Sequence, residues 1–175
     1  EWVRDGAALV YRSDGKGGKL AAPVSFNCRD FEIELRAELL SGSDRINADV
    51  PLGKGRILPL VFNWPGRKVL NEREGKQWAA VHPAVHVSVR VMRGSNGSPD
   101  RIVSVRKDNG EILADLTGSM DSIGKSGETH PAFPGQQVAS IFIMKEPYAV
   151  KTWTLRVFEG EAKVLRGTGA LVGAD

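Results

Sequence analysis

Two stretches of this chain alternate apolar and polar residues with a period of two, and that period restricts the fold more than any other feature. Phe31, Ile33, Leu35, Ala37 and Leu39 alternate with Glu32, Glu34, Arg36 and Glu38, and from Val85 to Val91 every second residue is valine. Successive side chains of an extended strand point to opposite faces, so each stretch builds one apolar face and one wet face. On a helix the same residues would scatter around the circumference and leave no apolar stripe.

The rest of the chain reads as further strands and turns. Ile57 to Trp64 is a short apolar run, which fits a strand buried on both sides; Pro59 within it calls for an edge or a bulge. "RIVSVRKDNGEILADL" sets Asn109-Gly110 between two strand-like runs, and Asn-Gly accommodates the positive φ angles of a tight hairpin turn. "VASIFIM" and "KTWTLRVFEG" supply two more strands after a long loop from Gly118 to Gln137. Helical periodicity with caps is absent, and the charged segment Asn71 to Ala80 is the one place where a short helix is expected. The chain is expected to fray after Gly160. Many short strands, some alternating and some wholly apolar, indicate an all-β, antiparallel two-sheet sandwich spanning residues 1–175 as a single domain.

Composition narrows the partners. The 24 Lys and Arg against 21 Asp and Glu leave a net charge of +3 with both signs interspersed, which argues against a nucleic-acid partner. No apolar run is long enough to span a bilayer. A single cysteine, Cys28, permits no internal disulfide, and no Cys/His spacing resembles a zinc site. The chain starts at Glu1 without methionine, which points to a mature or excised piece of a larger protein.

The succession "WVRDGAALVYRSDGKGGKLAAPVSFNCRDFEIELRAELLSG", "DRINADVPLGKGRILPLVFNW", "VHVSVRV", "IVSVRKDNGEILADLTG" and "WTLRVFEG" resembles the concanavalin A-like (laminin G-like) jelly-roll domains of bacterial multidomain and surface proteins. The resemblance covers about residues 2–160, and its most specific piece is the hairpin "SVRKDNGEIL". It implies a jelly roll, an extracellular or cell-surface location, and membership of a group that includes lectins, carbohydrate-binding modules, glycosidases and plain interaction domains. Laminarinase-type glycosidases of this fold carry three acidic residues spaced two apart along one strand. Here the matching positions are Glu32, Glu34 and Arg36, and a guanidinium cannot act as a proton donor at working pH. Glu34 and Glu38 are four residues apart, about 13 Å along a flat strand, against the ~5 to 9.5 Å of glycosidase carboxyl pairs. No catalytic residue is assigned. The charged row is expected to face solvent and pair with charges on neighbouring strands.

Other candidate chemistry is sparse. His82 and His86 on an extended chain are again about 13 Å apart, too far to share a metal, and with His130 they are expected to be solvated. "GKGGK", Gly15 to Lys19, lacks the spacing of a phosphate-binding loop. Asp44, Asn47 and Asp49 offer the oxygens a calcium ion would use but match no known loop, so no metal or cofactor is assigned. Trp153, on one strand face with Leu155 and Val157, belongs in the core, and Trp2 in a strand closing the sandwich. Trp64 and Trp78 stand at the ends of regular segments, where an exposed ring could stack on a sugar while Asn63, Arg67 and Gln77 hold its hydroxyls. The expected function is therefore a non-catalytic recognition or accessory domain that binds a carbohydrate. The alternatives are a glycoside-active enzyme and a structural protein-interaction domain.

Overall fold

The computed structural model describes residues 2–12, 17–22, 24–42, 45–53, 55–62, 69–71, 76–77, 84–94, 100–126, 133, 138–143 and 145–164. In chain order the strands are β1 Trp2–Asp5, β2 Ala8–Tyr11, β3 Gly18–Ala21, β4 Val24–Leu39, β5 Ile46–Gly53, β6 Arg56–Phe62, β7 Val69–Asn71 and β8 Lys76–Gln77. They continue with β9 Ala84–Arg93, β10 Asp100–Lys107, β11 Ile112–Ser119, the helical turn α1 Met120–Ile123, β12 Lys125–Ser126, β13 Ser140–Ile143 and β14 Tyr148–Val164. A seven-stranded sheet runs in the order β1-β2-β14-β4-β9-β10-β11, a five-stranded sheet in the order β12-β6-β5-β13-β3, and β7 pairs with β8 alone. Every pairing is antiparallel. The all-β sandwich expected from the alternation is the architecture found.

The apolar faces of the alternating strands meet in one core. Phe31, Ile33, Leu35 and Ala37 of β4 lie opposite Val91, Val89, Val87 and Val85 of β9, and all eight are buried. Val103, Val105 and Leu116 continue this face, and Ile46, Val50, Leu52, Leu58, Leu60, Phe62, Ile141 and Ile143 of the smaller sheet close over it. The row on β4 fixes the register, because a slip of one residue would send its five apolar side chains into water. Pro59 of β6 stands opposite Asp49 of β5. On its other side, among the described residues, β6 pairs with β12 only at Arg56 and Ile57, so Pro59 stands beyond that pairing, in keeping with the edge its sequence position calls for. Trp153 lies opposite Leu35 and, with Leu155, is partly buried against the core; Val157 on the same face is exposed. Trp2 pairs with Tyr11 at the edge of the larger sheet.

Three expectations require correction. Asn71 and Lys76 are paired across β7 and β8, which excludes a helix running through them: helix propensity is a weak prior that strand pairing overrides. The segment after Gly118 is not all loop. Ser119 caps α1, its Oγ accepting from the Ser122 N–H at 3.1 Å, while Met120 and Ile123, three residues apart, are both buried. The tail does not fray at Gly160, since β14 continues opposite β4 until Val164 meets Val24. Two register shifts between Val157 and Gly160 interrupt the alternation there and hide the strand from a period-two reading.

Candidate functional site

The wet side of the seven-stranded sheet is built by the residues that the core excludes. On β4 these are Glu32, Glu34, Arg36 and Glu38. Register sets Arg90, Ser88 and His86 of β9 beside Glu32, Glu34 and Arg36, and Arg156, Thr154 and Thr152 of β14 on their other side. Ser104 and Arg106 of β10 follow beyond Arg90 and Ser88. The charges pair across strands, as the sequence leads one to expect. Lys151 Nζ bonds Glu38 Oε2, Arg156 Nη1 lies 3.9 Å from Glu32 Oε1, and Arg90 Nη2 lies 2.7 Å from Asp30 Oδ1. The Arg90 guanidinium also stacks over Phe158, 3.4 Å from the ring centre, an arrangement that suits a cation to a π face.

One part of this face is concave. Glu34, Arg36, His86, Val87, Ser88, Lys107 and Asp108 line a hollow of about 280 Å³, close to the ~300 Å³ at the small end of ligand sites. Its rim is the β10–β11 hairpin. Gly110, at φ 83°, takes the left-handed position of the loop, and its N–H donates to the Lys107 carbonyl at 3.0 Å while the Lys107 N–H reaches the Glu111 carbonyl at 2.9 Å. Asp108 Oδ1 accepts from the Asn109 N–H at 2.9 Å, which fixes the carboxylate, and Lys107 Nζ is 2.8 Å from Glu111 Oε2.

His86 joins the hairpin to the centre of the sheet. Its Nδ1 is 3.0 Å from Asp108 Oδ2 and its Nε2 is 3.2 Å from Glu34 Oε1. Glu34 Oε1 also accepts from Arg36 Nε at 2.9 Å. The Arg36 hydrogen bond, and after it the His86 hydrogen bond, holds the Glu34 carboxyl below its ordinary value of 4.5. Glu34 is thus an anion that accepts hydrogen bonds, whereas a general acid needs its proton held.

The histidine expectation is corrected here: His86 is not a solvated imidazole but stands with each ring nitrogen at hydrogen-bond distance from a carboxylate oxygen, its side chain 26% exposed. His82 and His130 lie outside the described residues. The sequence signal for His86 was available in its even spacing from Ser88 and Arg90, which puts it on the wet face. What the sequence lacked was the register that sets Arg36 beside it and the hairpin that delivers Asp108. Of the aromatic platform, Trp64, Trp78, Asn63 and Arg67 lie outside the described residues, and Gln77 belongs to β8, opposite Val69.

Of the residues considered for calcium, Asn47 and Asp49 lie among the described residues, both on β5. Asp49 lies 3.6 Å from Lys19 Nζ and accepts from Ser140 Oγ at 3.1 Å, and Asp44 is outside the described residues. Among the described residues no group of three or more His, Cys, Asp or Glu side chains could hold a metal ion. No helix among them is long and apolar enough to cross a membrane.

These features define the chain as an antiparallel two-sheet β-sandwich with a charged, partly hollowed outer face on its larger sheet. No family model matches the chain, and no curated protein matches it. Among solved structures, it is similar to a variant of the GH43 protein BlXynB from Bacillus licheniformis, at 9% identity and a TM-score of 0.45. The match covers 90% of this chain and 38% of that one, so the chain spans well under half the length of that protein. A functionally unknown protein from Saccharomyces cerevisiae is similar at 11% identity and a TM-score of 0.40, over 91% of this chain and 93% of that one. Likenesses this distant do not bear on what the chain does.

Proposed function

We propose that the chain is a non-catalytic recognition domain of the concanavalin A-like jelly-roll kind, acting as an accessory part of a larger extracellular or surface protein and receiving a carbohydrate in the hollow around His86. The observation that carries this reading is the state of Glu34. Glu34, a carboxylate lining the hollow, is held below its ordinary value by Arg36 and then by His86, so it meets hydroxyl groups as an acceptor and does not hold the proton that a general acid needs. Side chains fixed by their own ion pairs need little ordering when a ligand arrives, which favours recognition.

Trp64 and Trp78, with Asn63, Arg67 and Gln77, remain the proposed alternative platform, on which a sugar would stack rather than hydrogen-bond to charges. A protein-interaction role is favoured instead by Phe158, a large apolar side chain 55% exposed on β14. Glycan-array binding with this chain tests all three readings. Retention of a glycan, weakened about tenfold or more by Arg36→Ala and unchanged by Trp64→Ala and Trp78→Ala, supports the hollow. The reverse pattern moves the site to the tryptophans. A glycan that is cleaved, with cleavage abolished by Glu34→Gln, establishes an enzyme and refutes the proposal.

A further inference from the structure

We propose that His86 is a proton-operated clasp that ties the β10–β11 hairpin to β4 across the hollow. The geometry carries this. Each ring nitrogen stands at hydrogen-bond distance from a carboxylate oxygen, 3.0 Å to Asp108 and 3.2 Å to Glu34, and a carboxylate only accepts. Both contacts are bonds only when the ring is an imidazolium with two N–H groups. In the neutral ring one nitrogen turns a lone pair towards an anionic oxygen, and that contact becomes repulsive.

The two ends of the clasp differ in how firmly they are held. The Glu34 side chain is 25% exposed, sits in the middle of the sheet and is also gripped by Arg36 Nε at 2.9 Å. The Asp108 side chain is 58% exposed and stands on the hairpin loop, with one further bond, to the Asn109 N–H. When the ring loses a proton it therefore keeps Nε2–H on Glu34 and bares Nδ1, and Asp108 swings away and takes the Asn109 hydrogen bond with it. The other charged groups around the ring, Arg36 from β4 and Lys107 from the hairpin, are engaged by Glu34 and Glu111 respectively, and Arg106 of β10 donates to Ser104 Oγ. None of these takes over the role of Asp108. The clasp sets the position of Asp108 on the rim of the site proposed above as the recognition surface, but it is read without any ligand, so failure to bind a glycan would leave it standing.

The experiment is an NMR titration of the ligand-free chain from pH 5 to pH 9, a range that brackets the usual histidine transition. It follows the ring nitrogens of His86 and the hydrogen exchange of the Asn109 amide, corrected for the intrinsic pH dependence of exchange. The expected result is two protonated ring nitrogens at low pH, the Nε2–H tautomer at high pH, and protection of the Asn109 amide falling about threefold to tenfold along the same profile. In Asp108→Asn the ring should still titrate while the protection of Asn109 no longer follows it. An Nδ1–H tautomer at high pH, protection that stays constant through the ring transition, or an unchanged profile in Asp108→Asn would each overturn the proposal.

Discussion

Gly124 closes α1 against the smaller sheet, and its replacement by alanine should destabilise the protein for a purely steric reason. Its φ of −109° is open to any residue, so no backbone strain enters. A Cβ there would stand 2.7 Å from the Met120 carbonyl oxygen, 2.8 Å from Leu52 Cδ1 and 3.1 Å from the Ile57 carbonyl oxygen. Two of these atoms are backbone, and the third belongs to a side chain only 1% exposed, so none can step aside cheaply. Overpacking of this kind costs about 1 to 3 kcal/mol. The lower entropy of the unfolded alanine chain returns roughly 0.5 kcal/mol, which leaves a net loss of about 1.5 kcal/mol. For a chain of 175 residues that is a fall in Tm of about 3 to 6 °C. Urea unfolding of Gly124→Ala beside Gly118→Ala is the appropriate assay. A Cβ at Gly118 meets the Ser122 hydroxyl at 2.5 Å, on an exposed side chain that can rotate at the loss of its bond to the Ser119 carbonyl, and Ile123 Cγ2 at 3.0 Å; with no backbone atom in the way it should cost less than Gly124→Ala. If Gly124→Ala changes stability by less than about 0.5 kcal/mol, α1 is not packed on β5 and β6 as described.

The other predictions concern the site. Gly110→Ala places a Cβ in open space but at φ 83°, so it should cost about 1 to 2 kcal/mol through backbone strain alone, with the sandwich intact by circular dichroism; a neutral effect would remove the left-handed loop position. Glu34 and Glu111 are both held below 4.5, by Arg36 and Lys107 respectively, so their contribution to stability is present above pH 4.5 and is lost as pH falls through the lower, folded-state values. The stability difference between the natural chain and Glu34→Gln, measured by urea unfolding, should therefore shrink as pH is taken from 5 towards 3, and a difference that grows over that range would reverse the sign of the argument.

The sheet was legible because burial enforces a period of two. Phe31 to Leu39 and Val85 to Val91 each have to present one apolar face, and a single pairing register lets both do so at once. The wet face shows no such periodic constraint. Glu34, Arg36 and His86 could be assigned to that face from parity, yet which of them touch depends on β4 and β9 pairing over a sequence separation of 52 residues. Asp108 was still less visible. The sequence marks Asn109-Gly110 as the turn and gives Asp108 no role; it enters the site because it stands one residue beyond Lys107, where β10 lies against Val87 of β9. Helical turn α1 escaped notice for the opposite reason: four residues give too short a window for any periodicity, and only the Ser119 cap marks it.

The pairing of β4 with β14 has a consequence for how the chain reaches this structure. Lys151 and Glu38, partners on adjacent strands, are separated by 113 residues, whereas β10 and β11 are joined by the short loop 108–111. Closing a large loop costs more chain entropy than closing a small one, and that cost falls before the contacts repay it. The hairpin and β9 can assemble early, with β4 added on their open edge, while the opposite edge of β4 waits for the last strand. Until β14 arrives, the strand that becomes the middle of the larger sheet is an unprotected border with a row of charges on one side. Those charges, Glu32, Glu34, Arg36 and Glu38, keep that border from pairing with another chain in the interval.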